Sequence, residues 1–163
     1  MPFFSAGFTL LETMVALTVI VSAMAGPFSL ATRGVFFAKF AKNKLVAVNL
    51  VQEGLEFIRQ CRDNNVLQNR AWDLSIGSGD WQADVFTNTF SSCDLAPFTG
   101  SALLRDSTSG LYSYISGSPT LFTRRITISK PAVDQVFVVS TVTWTEGDIN
   151  RAMTLQETFY NWH

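Results

Sequence analysis

From Phe8 to Thr32 the chain carries a single formally charged side chain, Glu12, in a run that is otherwise apolar, small or hydroxyl-bearing. About 20 such residues are enough to cross a bilayer as a helix. A carboxylate inside the run is costly in hydrocarbon, so Glu12 is a functional candidate from the start. The run also limits the fold. No small domain can bury a segment this apolar along its whole length, so lipid or other subunits must cover it.

The run opens with Gly7-Phe8-Thr9-Leu10-Leu11-Glu12. This hexapeptide, followed by an apolar helix, resembles the processing site of type IV prepilins and type II secretion pseudopilins. The resemblance implies a leader of residues 1–7, cleavage by a prepilin peptidase between Gly7 and Phe8, and methylation of the new Phe8 amino group. An ordinary signal peptide is cut after its apolar region. In this family the cut comes before it, so the anchor stays. The resemblance also assigns Glu12 to subunit assembly. The leader Met1–Gly7 contains no Lys or Arg, whereas prepilin leaders usually do. The nearest basic residues are Arg33, Lys39, Lys42 and Lys44, beyond the run. The positive-inside rule alone would put the C-terminal part in the cytoplasm. The family implies the opposite: a single pass in the bacterial inner membrane with the head outside the cytoplasm, then a place in a pilus or pseudopilus.

The helix is expected to continue past the membrane edge. Val48, Val51, Leu55 and Ile58 recur at helical spacing, beside a stripe of Ala47, Leu50, Gly54, Phe57 and Cys61. A helix ending near Asn64 would be roughly 85 Å long at 1.5 Å per residue. Arg62-Asp63-Asn64-Asn65 is its expected end, since Asn tolerates the left-handed conformation there. Gly26-Pro27 lies inside it. Proline removes one backbone donor, and the residues leave two outcomes open, a simple kink or local unwinding of the kind seen in assembled filaments of the family. The expected division is therefore 1–7 leader, 8–32 transmembrane and filament-core half-helix, 33–64 head-packed half-helix, and 65–163 head.

Residues 66–120 are weakly periodic and rich in Ser, Thr, Gly and Asn. They hold Trp72, Trp81, Phe86, Phe90 and Phe98, too many aromatics for a disordered tract. From Leu121 the pattern alternates as strands do. Phe122, Ile126 and Ile128 share one face of a strand, as do Val136, Val138, Val142 and Trp144 of the next. Lys130-Pro131 and Glu146-Gly147-Asp148 are the expected turns, and a last strand is expected from about Met153 to Trp162. Leu111–Ile115 is a candidate edge strand. The fold class is α+β and pilin-like, a long N-terminal α-helix packed on a small antiparallel β-sheet. The Val-Thr-Trp strand, tight turn and final strand also resemble, more weakly, the minor pilins of the pseudopilin I type.

Cys61 and Cys93 can form a disulfide in an exported head, or remain as a buried thiol and an unpaired one; the sequence leaves both open. Nothing reads as catalytic. The one histidine, His163, is terminal, and no Gly-rich phosphate loop follows a strand. No cofactor or metal is expected. Asp80, Asp84, Asp94 and Asp106 match no calcium loop. Net charge is −1, and Arg124, Arg125 and Lys130 read better as a solvated strand edge than as a DNA-uptake site. The expected function is that of a structural filament subunit. Its partners would be other pilin or pseudopilin subunits, the peptidase, a membrane assembly platform, and the bilayer before assembly. The alternative is a minor tip subunit that binds DNA, a surface or a secreted substrate.

Overall fold

The computed structural model describes residues 7, 9–84, 86 and 93–161. One helix, α1 (Leu10–Leu67), opens the chain, followed by strands that are antiparallel wherever they pair. Two compact units result, Met1–Lys42 and Asn43–His163, with α1 contributing to both.

In the first unit the described helical residues are almost all exposed, and the helix is long and apolar enough to cross a membrane. In the second unit α1 is buried along one side. Asn43, Ala47, Leu50, Gly54, Ile58, Cys61 and Asn65 recur at intervals of three and four residues, with Val51 beside them. This face lies on a five-stranded antiparallel sheet of order β2-β1-β6-β7-β8. Its strands are β1 (Gly79–Ala83), β2 (Leu95–Pro97), β6 (Thr123–Ala132), β7 (Gln135–Glu146) and β8 (Ile149–Tyr160). Three short strands, β3 (Leu104–Arg105), β4 (Tyr112–Ser113) and β5 (Ser118–Pro119), make a separate sheet of order β4-β3-β5.

Alternation along β6 and β7 puts Ile126, Ile128, Val136, Val138, Val142 and Trp144 on the helix side. Leu55, Phe57, Ile58 and Cys61 meet the first four of these, with Ile76, Ala83 and Phe159. Ala47, Leu50 and Val51 meet Val142 and Trp144, with Leu103 and Phe122. Each fully buried side chain of this kind stabilises the fold by about 1.5–3 kcal/mol relative to exposure. The α+β layout of a long N-terminal helix on an antiparallel sheet is thus the observed architecture.

Five details differ from the expectations. The helix runs on to Leu67, and its end is built at Asn69 (φ 54°). Asn69 N–H donates to the Val66 carbonyl (3.0 Å) and Arg70 N–H to the Asn65 carbonyl (2.9 Å), the bond pair of a Schellman cap. Asn64 and Asn65 are buried instead, and Asn65 Nδ2 donates to the carbonyls of Trp72 (3.2 Å) and Leu74 (2.8 Å). Second, β6 passes through Lys130-Pro131, and the register shifts between Ser129 and Ala132. Proline is tolerated at such an irregularity because its missing donor is not needed in the ladder. Third, the sheet gains β1 and β2 from the connecting region, with Trp81 opposite Ile126. Fourth, Leu111–Ile115 adds no edge to the main sheet, and only Tyr112–Ser113 is a strand, in the small one. Trp162 lies outside the described residues, and β8 begins earlier than expected, at Ile149 after a two-residue turn with Gly147 at φ 60°.

Candidate functional site

Thr9 caps α1. Its carbonyl accepts from the N–H groups of Glu12 (3.1 Å) and Thr13 (3.2 Å), and its Oγ1 accepts from Glu12 N–H (3.3 Å). Thr9-x-x-Glu12 is the spacing of a capping box, a signal present in the sequence that the motif-based reading passed over. It places Glu12 in the first helical turn, where a carboxylate is favoured by the helix dipole by about 0.3–1 kcal/mol. Glu12 is exposed, as is Gly7, and Phe8 lies outside the described residues.

Four hydroxyls of the apolar helix donate to its own backbone. Thr13 Oγ1 donates to the Leu10 carbonyl (2.8 Å), Thr18 Oγ1 to Val15 (2.8 Å), Ser22 Oγ to Thr18 (2.7 Å) and Thr32 Oγ1 to Ser29 (2.9 Å). Four hydroxyls that would otherwise be unpaired in hydrocarbon are thus satisfied within the helix. The helix is continuous across Gly26-Pro27. Of the two outcomes left open at this pair, the isolated chain therefore keeps helical pairing. Pro27 still lacks an N–H to donate to the preceding turn.

The head is organised around a buried cation. Arg124 is fully buried on β6. Its Nη2 donates to the Ala83 carbonyl (2.7 Å) and its Nη1 to the Leu50 carbonyl (3.4 Å), and Nη1 lies 3.4 Å from Glu53 Oε1. The guanidinium sits 5.1 Å from the centre of the Phe57 ring. Gly54 makes room for it, since a Cβ there would stand 2.3 Å from Ser140 Oγ and 3.3 Å from Arg124 Cδ. One side chain thus joins α1, β1 and β6. Arg125, the next residue, points to the opposite face, 3.8 Å from Asp80, and Lys130 Nζ binds Asp73 at 2.7 Å. These three residues therefore form no shared basic patch.

Cys61, buried on α1, and Cys93, just before β2, are joined by a disulfide with Cα atoms 5.2 Å apart. Arg59 Nη2 donates to both carboxylate oxygens of Glu157 (2.8 Å each), tying α1 to β8. Among the described residues no three His, Cys, Asp or Glu side chains converge as a metal site. Asp84 accepts from Phe86 N–H (2.8 Å) and Tyr114 N–H. Asp106 Oδ1 accepts from the N–H groups of Thr108 (2.9 Å) and Ser109 (2.6 Å). Those bonds, Ser109's first, hold the Asp106 carboxyl below its ordinary range.

Tyr114 gives the head an alkaline limit. Its hydroxyl donates to the Arg124 carbonyl (2.9 Å), and burial raises its pKa because the phenolate is poorly solvated there. A raised folded-state pKa means that stability is complete below the free tyrosine value of about 10 and is lost as pH rises through the folded value. Tyr114→Phe is expected to cost about 1 kcal/mol at neutral pH through the lost hydrogen bond. It should also flatten the decline of urea midpoints above pH 10 that is expected of the wild type.

Comparison with protein-family models, curated proteins and solved structures finds no match to this chain.

Proposed function

We propose that this chain is a structural subunit of a filament of the type IV pilus or type II secretion pseudopilus class. It is made as a membrane-anchored precursor, cleaved between Gly7 and Phe8, methylated at Phe8, and polymerised through its N-terminal helix on a membrane assembly platform. The role is structural and not catalytic, and the head faces away from the cytoplasm. The observation that supports this reading is the exposed apolar stretch of α1, residues 10–32, whose one carboxylate, Glu12, closes the Gly7–Glu12 motif four residues after Phe8.

The chemistry of assembly follows from Glu12. Near a membrane face its carboxylate can be hydrated. Packed among apolar helices it needs a counter-charge, since an unpaired buried carboxylate costs several kcal/mol. Cleavage creates that counter-charge as the Phe8 amino group. Pairing between a Glu12 and the Phe8 amine of a neighbour would fix the axial register of insertion. Burial of apolar side chains gives little drive in lipid, so helix packing and polar pairs choose the neighbours.

Glu12→Ala is expected to leave cleavage and head stability intact and to lower incorporation into filaments by roughly tenfold or more, the scale of an unmade buried ion pair. The assay counts this subunit in sheared filaments at matched membrane levels. Wild-type incorporation of the variant would eliminate the intersubunit pairing.

A further inference from the structure

After Glu12 the next acidic residue is Glu53, and between them lie Arg33, Lys39, Lys42 and Lys44. Arg33, Lys39 and Lys42 are exposed on α1 and fall within about 14 Å of helix, at 1.5 Å per residue. They begin where the apolar run ends. Between them lie Val35, Phe36 and Phe37, all exposed, with the two phenyl rings 5.9 Å apart. This segment therefore combines three cations, no carboxylate and an apolar surface continuous with the membrane-crossing stretch.

We propose that Arg33, Lys39 and Lys42 form a binding belt for the phosphates of anionic phospholipid headgroups, with Val35, Phe36 and Phe37 seated at the acyl boundary. Three features select this ligand. The long Arg and Lys stems can lie along apolar surface while their charges reach the headgroup layer. On either face of a membrane, cations beside the helix are attracted to anionic headgroups, an interaction that salt screens over about a Debye length. The exposed phenyl rings follow directly on the membrane-crossing stretch of the same helix, which puts them at a lipid boundary. In the membrane-anchored stage the belt would set how deep the helix sits and gather anionic lipid around each subunit. The inference rests on the membrane-anchored reading.

The test reconstitutes the full chain in phosphatidylcholine vesicles holding a trace of spin-labelled phosphatidylglycerol or spin-labelled phosphatidylcholine. The fraction of each label immobilised at the protein is measured. We expect phosphatidylglycerol to be favoured several-fold at low salt. The preference should fall toward one in high salt and in R33Q/K39Q/K42Q, and should persist in the charge-preserving R33K/K39R/K42R. Equal immobilisation of the two labels at low salt would overturn the belt, and so would a preference that survives the triple Gln variant. Loss of the preference on adding inorganic phosphate at constant ionic strength would also overturn it, by assigning a free-phosphate site instead. Flotation with pure phosphatidylcholine vesicles separates the two readings. A chain that does not float fails as a membrane protein altogether, whereas one that floats without preference fails only as an anionic-lipid binder.

Discussion

Arg124→Ala is expected to destabilise the head by about 3 kcal/mol, the lower end of the range for breaking a buried ion pair. The figure sits at that end because Glu53 is partly exposed and can turn to water once its partner is gone. The remaining cost has two sources. The buried Ala83 carbonyl loses its donor, and a cavity opens between α1, β1 and β6 beneath Phe57. Arg124 Nε and Ser140 Oγ, both buried, have no protein partner, so the wild-type arrangement is itself not fully satisfied. Arg124→Met with Glu53→Gln should therefore recover part of the loss, by filling the volume and removing the charge. Urea unfolding of the detergent-solubilised chain, followed by tryptophan fluorescence, measures both variants. A midpoint for Arg124→Ala equal to wild type would show that the guanidinium contributes no net stability.

Removing the disulfide should have a comparable effect. Cys61 and Cys93 are 32 residues apart, a loop length for which the chain-entropy model gives roughly 3–4 kcal/mol. Cys61 belongs to the buried cluster with Ile58, Ile76 and Ile128, and Cys93 packs against it, so the bridge ties the beginning of β2 to the core. Cys61→Ser/Cys93→Ser adds a polar group at the buried Cys61 position, whereas Cys61→Ala/Cys93→Ser does not. The first variant should be the less stable of the two, and both should unfold at lower urea than the oxidised wild type. Exported protein should resist alkylation when denatured without reductant. Full alkylation of both thiols would contradict the bridge in the native compartment.

The helix face from Ala47 to Cys61 was legible because one periodicity, 3.6 residues, governs it and a single partner sheet covers it. Its end was not. The Asn pair that signalled a stop is used as buried polar structure, while the left-handed cap falls on Asn69, a few residues on. Strands β6–β8 alternate cleanly, so their faces could be read. β1 could not, since Gly79-Asp80-Trp81-Gln82-Ala83 has little alternation of its own and is defined by pairing with β6 and β2. Reading Arg124 and Arg125 as one basic group neglected that neighbours on a strand face opposite ways. In the N-terminal segment the sequence carried the motif, and the structure adds the Thr9 cap and four hydroxyls bonded within the helix. The partner of Glu12 was never legible from one chain, because it belongs to another subunit in the proposed assembly.

The proposed subunit is a prepilin-type precursor whose mature form begins at Phe8. Intact mass and N-terminal fragmentation of the protein isolated from membranes of its own cell decide this. The expected result is a chain starting at Phe8 with a methylated amino group, and an uncut precursor when Gly7→Glu blocks the peptidase. A wild-type chain that retains Met1–Gly7, or one that starts beyond Thr32, would contradict it.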